Sequence, residues 1–495
     1  MNNIVLPTRG LVQARANILA GLTSSFALVP ECIAFALVAQ LNPLMGLYGA
    51  FFICTIAALF GGRPGMISGA AGSMAVVIVA LVARHGAQYL LATVVLSGLL
   101  MLLFGALRLG KLIRMVPHPV MLGFVNGLAI VIAMAQLAHF RQADANGGEH
   151  WLQGTALLTM IGLVALTMLV VYLLPRLSRA VPPALVAIVG VGLLCQVLPL
   201  PIRDLGDMAH IAGSLPTPHW PDVPFNAGTL WIILPYAVLM AVVGLLETLL
   251  TLNLTDDITA SVGQPNRECL ALGAANIVSG LFGGMGGCAM IGQTMINLGS
   301  GGRTRLSGAV AGLMIMLFIL FLSPLIERIP LAALVGVMFV VSLETFAWGS
   351  LRVLGKVPRA DAVVIVAVTV ITVFTDLAVA VLCGVVIAAL SFAWQHAAEI
   401  RVDIKVDQDG LKTYTPHGTL FFASAAGFRG LFDAAGDPPR VVVDCSHLHF
   451  ADHSAIAALE SLQGSYARAG KDVSVLHLSA RCRALLNKAG VTMPA

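Results

Sequence analysis

Between Cys269 and Gly302 the sequence carries no Asp, Glu, Lys or Arg, yet Gly280, Gly283, Gly284, Gly286, Gly287, Gly292, Gly299, Gly301 and Gly302 interrupt it. The stretch is apolar enough for a membrane and too rich in glycine for one continuous spanning helix. Within it, Leu281 to Asn297 (LFGGMGGCAMIGQTMIN) is echoed by Leu59 to Val77 (LFGGRPGMISGAAGSMAVV). Apolar segments broken at matching places in two halves predict an internal repeat of discontinuous helices. A half-helix that starts inside the bilayer turns its free N–H groups and positive dipole end on a ligand. The first expectation is a carrier for an anion.

Composition agrees with a bilayer as solvent: of 495 residues 58% are hydrophobic and 11% charged, with mean hydropathy +0.92. Windows free of Asp, Glu, Lys and Arg run from Cys32 to Gly62, Pro64 to Ala83, Met115 to Phe140, His150 to Pro175, Val223 to Leu246, Ala362 to Thr375 and Leu377 to Ala398. Most reach the roughly 20 residues a helix needs to cross a ~30 Å hydrocarbon core. The pattern predicts spans near 14–36, 44–62, 73–84, 87–107, 117–140, 154–174, 182–199, 227–253, 268–283, 291–299, 304–323, 330–348, 361–376 and 378–396. These are fourteen, seven in each half, and an odd number per half inserts the second repeat upside down. The third and tenth are the short ones, and both follow the LFGG echoes.

Charge sets the orientation. With the N-terminus inside, fourteen loop Lys and Arg face the cytoplasm, against Arg84, Arg141, Arg203 and Arg328 outside. This bias accounts for most of the net charge of +4 and calls for no nucleic-acid partner. The first apolar segment contains Pro30 and Glu31 and runs too long for a cleaved signal peptide. The eight cysteines show no disulfide or metal spacing and read as small core residues.

The transport domain is expected over 1–396, with repeats of about 10–199 and 226–396 joined by an outside linker. From residue 399 the composition changes. RVDIKVDQDGLKTYTPHGTLFFAS alternates polar and apolar residues around a DG turn, VVVDCSHLHF reads as a buried strand and VSVLHL as another. Ala455 to Ala469 and Arg481 to Ala489 have helical spacing. Residues 399–495 therefore form a small cytoplasmic α/β domain.

Three features together resemble the sulfate permease (SulP) family of anion transporters: LVPECIAFALVAQLNPLMGLYGAFF in the first span, GLFGGMGGCAMIGQTMINLGSGGRTRLSG around the tenth, and a C-terminal module similar to a STAS domain. The resemblance covers essentially the whole chain. It implies a fold class of α-helical polytopic membrane protein, fourteen spans as a 7+7 inverted repeat with core and gate domains, uracil-permease-like, plus the small STAS domain. Spans 1–4 and 8–11 would form the core, 5–7 and 12–14 the gate. The anion would sit between the facing starts of spans 3 and 10, and the core would move against the gate like an elevator. Two departures stand out. Many relatives have an arginine near Gln293, so charge balance here falls to helix dipoles or a co-transported cation. In the STAS module Asp452-His453-Ser454-Ala455 replaces the Asp-Ser-Ser-Gly of anti-sigma-factor antagonists and removes one serine of a phosphoswitch.

The candidate substrate-binding residues are Phe26, Ala71, Gly72, Ser73, Ala289, Met290, Ile291 and Gln293. At both short spans small residues let an anion approach backbone N–H groups; Ser73 adds a hydroxyl that also serves as an ordinary N-cap, Gln293 a neutral amide. Phe26 either lines the pocket or packs. The cation-coupling candidates are Glu31, Glu247 and Thr251, because carboxyls inside apolar spans are rare and mark pathways. Thr251 lies four residues after Glu247 on the same helix face, and the two form a possible Na⁺ site; the structural alternative is an interhelical hydrogen bond. Asp256 and Asp257 are read as solvated. Pro117, Pro119, Pro182 and Pro183 start gate helices, and His118, His139 and His150 carry no ligand spacing.

The function expected is secondary active transport of a small anion (sulfate, bicarbonate or dicarboxylate) by symport with H⁺ or Na⁺, with no catalytic residues and no cofactor beyond the co-transported cation. The partners expected are that small inorganic or organic anion, membrane lipid, a second copy of the chain in a homodimer, and a cytoplasmic protein met through the STAS domain. The expected location is the cell inner membrane, both termini cytoplasmic. The alternatives are an exchanger or channel of the same family, a nucleobase permease, and a membrane-anchored STAS signalling scaffold. The missing carboxylate in span 10 opposes the second of these, and fourteen spans are excessive for the third. No phosphate-cradling GKT or GKS motif supports ATP-driven transport.

Overall fold

The computed structural model describes residues 8–110, 118–143, 149–177, 182–198, 200, 202–207, 213–353, 356, 359–374, 383–384, 386–387, 389–390, 400–407, 411–479 and 482–483. Two compact units, Met1–Gly384 and Val385–Ala495, divide it.

The first unit is a multi-pass helical membrane fold. Its helices are α1 (Thr8–Val38), α2 (Pro43–Phe60), α3 (Gly72–His85), α4 (Ala87–Ala106), α5 (His118–Gln136), α6 (Gly154–Leu177), α7 (Pro183–Val197), α8 (Ala227–Thr259), α9 (Pro265–Leu281), α10 (Ile291–Gly299), α11 (Arg305–Glu327), α12 (Leu331–Thr345), α13 (Trp348–Val353) and α14 (Arg359–Phe374). Seven of them are long and apolar enough to cross a membrane, with shorter apolar helices between. The first thirteen expected spans correspond to α1–α12 and α14. The fourteenth, 378–396, lies largely outside the described residues, as do Pro117 and the end of span 13. Span 12 is shorter than expected: α12 stops at Thr345, and the six-residue α13 follows.

The helices pack as two bundles. α1, α2 and α11 pack together, α2 packs on α9, and α9 and α8 pack on α4, while α5 packs on α14 and α12, and α6 on α12 and α7. Small residues permit the closest approaches, as is usual where lipid offers no hydrophobic drive between helices. A Cβ at Gly98 on α4 would stand 2.6 Å from the carbonyl oxygen of Gly273 on α9, and one at Gly273 2.7 Å from that of Gly98.

The stretch between the halves is strapped down where it is described. Leu205 N–H donates to the Ile329 carbonyl at 2.9 Å, Tyr48 hydroxyl to Ser214 O at 2.7 Å, and His219 N–H to Leu281 O at 2.9 Å.

The second unit is a five-stranded sheet: β5 (Arg401–Val406), β6 (Lys412–Leu420), β7 (Arg440–Asp444) and β9 (Asp472–Leu476) in that order, with β8 (Leu448–Phe450) also on β6. Here β1–β4 belong to the first unit: β1 (Ser68–Gly69), β2 (Arg141–Ala143), β3 (Glu149–Trp151) and β4 (Cys288–Ala289). β5 and β6 form an antiparallel hairpin whose expected DG turn lies outside the described residues, and β6, β7 and β9 run parallel. Ala425–Arg429 forms α15 and His453–Arg468 forms α16. VVVDCSHLHF is two strands, not one. Asp444 accepts from Ser446 N–H at 3.0 Å and turns Cys445–His447 into a 3-10 bend between β7 and β8. Of the helix expected over Arg481 to Ala489, only Cys482 and Arg483 are among the described residues.

Apolar residues from every layer fill the core, among them Leu420, Phe428, Val443, Phe450, Leu459 and Tyr466. Buried Asp437 joins the layers, accepting from Lys412 Nζ at 2.5 Å, from the Tyr414 hydroxyl at 2.8 and 2.9 Å, and from the Tyr466 hydroxyl. Burial pushes this carboxyl up, but the hydrogen bonds from Lys412, Tyr466 and Tyr414 outweigh it and hold Asp437 below the usual carboxylate range. Asp452 caps α16 through Ala455 N–H at 3.2 Å and also accepts from Phe422 N–H at 2.9 Å.

Candidate anion site at two helix starts

The two glycine-broken stretches meet. β1, between α2 and α3, pairs antiparallel with β4, between α9 and α10, Ser68 opposite Ala289 and Gly69 opposite Cys288. Only glycine fits at 287, where a Cβ would lie 2.1 Å from the Gly69 carbonyl oxygen. A pair two residues long has little stability of its own, and side chains from neighbouring helices secure it. Thr248 of α8 accepts from Ala289 N–H at 3.0 Å. Asn276 of α9 accepts from Gly287 N–H at 3.0 Å and donates to Gly287 O at 3.1 Å. Thr294 of α10 accepts from Ile67 N–H at 3.0 Å.

Each strand runs directly into a short helix. α3 begins after Ala71 and α10 after Met290, both in extended backbone, and no side chain caps either helix. The orphan N–H groups of a helix start normally find a cap or water. Here those of Gly72 and Ser73, and those of Ile291, Gly292 and Gln293, have no side-chain cap and carry the positive dipole ends. At Gly292 an added Cβ would meet no atom within 4 Å, so there is room against the backbone of α10.

Two half-buried carboxyls flank these starts. Glu247 of α8 accepts from the Ser73 hydroxyl and from Cys288 Sγ at 3.1 Å, tying the first turn of α3 to β4. Glu31, which follows Pro30 inside α1, accepts from Gln293 Nε2 at 2.8 Å and so ties α1 to the first turn of α10. The arrangement offers N–H donors for an anion and carboxylates for a proton or a hard cation within one small region.

The expected residues are placed unequally. Ala71, Gly72, Ser73, Ile291, Gln293, Glu31 and Glu247 gather at the two starts. Ala289 and Met290 are there too, but their N–H groups are occupied, by Thr248 and by Ile67 O at 2.9 Å; the uncapped donors begin two residues later than expected. Thr251 turns its hydroxyl to the Glu247 carbonyl at 2.8 Å, an ordinary i−4 bond within the helix. Phe26 packs its ring on Phe318, centroids 4.9 Å apart, and lines an apolar cavity between α1, α7 and α11.

Sequence reasoning missed several residues. Phe35 is the aromatic at the start of α3, its ring placed where a Cβ on Gly72 would come within 2.7 Å; its spacing of four from Glu31 was the available signal. Thr248 and Asn276 left no signal, being single polar residues in apolar helices. Asp256 is not solvated: it pairs with Arg63 at 3.0 Å, and its side chain is 15% exposed. Beside it the buried Glu268 accepts from Gly62 N–H at 2.6 Å and Arg63 N–H at 3.1 Å, closing the turn that leads from α2 towards β1.

Comparison with known proteins accords with this architecture. Residues 15–369 match the sulfate permease family and residues 403–493 the STAS domain. YbaR of Bacillus subtilis, named as a candidate sulfate transporter, is 41% identical over 98% of this chain and 99% of its own. The solved transmembrane domain of a cyanobacterium bicarbonate transporter, BicA, superposes with TM-score 0.65 at 30% identity over 76% of this chain and 97% of that one. The murine Solute Carrier 26 family member A9 anion transporter, solved in the inward-facing state, gives TM-score 0.80 over 96% of this chain and 87% of its own; at 17% identity it shows the fold alone. With the family matched over most of the membrane unit and a relative aligned end to end, the chain belongs to the sulfate permease family and carries a C-terminal STAS domain.

Proposed function

We propose that this protein is a secondary active transporter of a small oxyanion, sulfate or bicarbonate in class, coupled to a cation taken up at Glu31 and Glu247. The observation that carries the reading is the pair of uncapped helix starts, α3 and α10, set on one short strand pair and flanked by two half-buried carboxyls. Helix starts supply only about half a positive charge each. Two ionised carboxylates beside them repel an anion, so a bound H⁺ or Na⁺ makes the site receptive, and by linkage the anion strengthens cation binding in return. The names of the relatives, sulfate and bicarbonate transporters, support the same substrate class.

The two helix bundles support transport in which the bundle bearing α1, α3, α8 and α10 shifts against the other, with the site near the bilayer midplane. The loop charge bias supports both termini on the cytoplasmic side of the inner membrane. The test is uptake of radiolabelled sulfate, bicarbonate and dicarboxylates into proteoliposomes, with pH and Na⁺ gradients imposed separately. The reading requires concentrative uptake of at least one oxyanion under one of the gradients. Uptake that ignores both gradients would replace it with an exchanger or a channel.

A further inference from the structure

Gln293 stands in the first turn of α10, 1% exposed, with one polar atom engaged and the other orphaned: Nε2 donates to Glu31 Oε1 at 2.8 Å, while Oε1 is buried without a partner. An orphaned buried acceptor is costly and calls for an explanation. A primary amide has two unlike ends, an oxygen that only accepts and an NH2 that only donates, and half a turn about its last torsion exchanges them. An ionised Glu31 only accepts, so it demands the NH2 end and leaves the oxygen at the helix start. A protonated Glu31 can donate, and the oxygen end then satisfies it, which leaves the NH2 free.

We propose that Gln293 is a proton-operated switch, in which protonation of Glu31 turns the free end of the amide from acceptor to donor and that donor joins the Ile291 and Gly292 N–H groups in holding the anion. This deepens the transport reading above and rests on it. Either orientation of the amide leaves one end unpartnered in the absence of substrate, so the logic holds whichever way it is turned. The proton comes from water on one side and returns to water on the other; only the Glu31 O–H bond is made and broken.

The surroundings leave this pair in control. The charged group acting on Glu31 from the packed helices is Glu344 of α12, and Cys32 is its titratable neighbour on α1. α2, α7 and α10 carry no charged residue. Arg84 and His85 of α3, His118 of α5, and Arg305 and Glu327 of α11 stand at the ends of their helices. In the ionised state the anion meets a negative charge and an exposed lone pair. When Glu31 is protonated this pair presents neither, and the anion gains a donor, whatever the state of Glu247 at the α3 start. Anion affinity then rises on acidification by roughly ten-fold or more, the size of one hydrogen bond to a charged partner, and bound anion raises proton affinity by the same factor.

The test uses the full-length protein in two arms. Infrared difference spectra between about pH 5 and 8 are expected to show a carboxylic C=O band that vanishes in Glu31→Gln and shifts in Gln293→Met, whose side chain offers the acid no amide. In proteoliposomes with ³⁵S-sulfate and with ¹⁴C-bicarbonate at matched ion concentration, wild-type affinity is expected to improve as pH falls. Gln293→Met loses the part of that improvement that the amide supplies, and Glu31→Gln, whose new amide permanently donates to Gln293, loses all that Glu31 contributes and keeps only the pH dependence of Glu247. A Glu31 band that is absent throughout, or identical in Gln293→Met, overturns the switch, as does a wild-type pH profile kept by either variant. If neither anion is taken up, the transport reading fails for these anions while the infrared arm still decides the switch.

Discussion

Gly292 and Gln293 are adjacent, and they divide the work of the α10 start between space and chemistry. A methyl group at 292 meets nothing in the folded protein and favours helix by up to about 1 kcal/mol. It would nonetheless occupy the room through which an anion reaches the backbone N–H groups. Gly292→Ala is therefore expected to leave the unfolding temperature unchanged or raised while weakening anion uptake roughly ten-fold; unaltered uptake kinetics in proteoliposomes would move the anion elsewhere. Much of this site was legible in the sequence. Glu31 and Glu247 announce themselves as lone charges in apolar windows, and the glycines around 283–292 announce a broken helix. What was not legible is where strand gives way to helix. Hydrogen bonds donated by the Ala289 and Met290 N–H groups to Thr248 and Ile67, residues far away in the chain, fix that boundary. Nor could Phe26 and Phe35 be told apart in the sequence: both are aromatic residues on one helix, and only the packing of α1 against Phe318 and Gly72 distinguishes them.

Among the elements, β1 and β4 are the least predictable and the STAS sheet the most revealing. Two residues of strand give no alternation to read, and the pair exists because Asn276, Thr248 and Thr294 hold it. In the STAS sheet, the apolar runs of β7 and β9 were readable, whereas the bend at Cys445–His447 depends on one Asp444 side chain. The Asp437 network yields a pH prediction with a definite sign. Its carboxyl titrates below the ordinary value, so its contribution is complete above about pH 4 and is lost as pH falls through the folded value. Hydrogen bonding to Asp437 and then to Tyr414 pushes Lys412 up to about 12, so its share is complete below its ordinary 10.5 and is lost only as pH rises through about 12. Asp437→Asn is expected to destabilise residues 400–495 by about 3 kcal/mol near neutrality. In thermal unfolding that gap should shrink steadily below about pH 4; a gap constant down to pH ~2 would remove the charge from the explanation.

At the scale of the whole molecule, charge-free windows and glycine echoes were enough for a many-span inverted repeat, because the bilayer forces every span to show itself as an uncharged run. How the helices sort into two bundles left no comparable trace, since small residues such as Gly98 and Gly273 mark contacts without naming partners. Every residue of the proposed site precedes residue 300, so a chain shortened to end near residue 394 is expected to retain anion binding wherever it still folds; retained folding with binding lost would place part of the site elsewhere. The central claim is that Glu31 and Glu247 couple a cation to the anion held by α3 and α10. Its most direct measurement is the accumulation ratio of the transported oxyanion in proteoliposomes under imposed pH and Na⁺ gradients, for the wild type and for the chain carrying both Glu31→Gln and Glu247→Gln. The wild type should accumulate the anion above its equilibrium level in proportion to one gradient, and the doubly substituted chain should only equilibrate it. Equal accumulation by both, or a wild type that never exceeds equilibrium, would contradict the account.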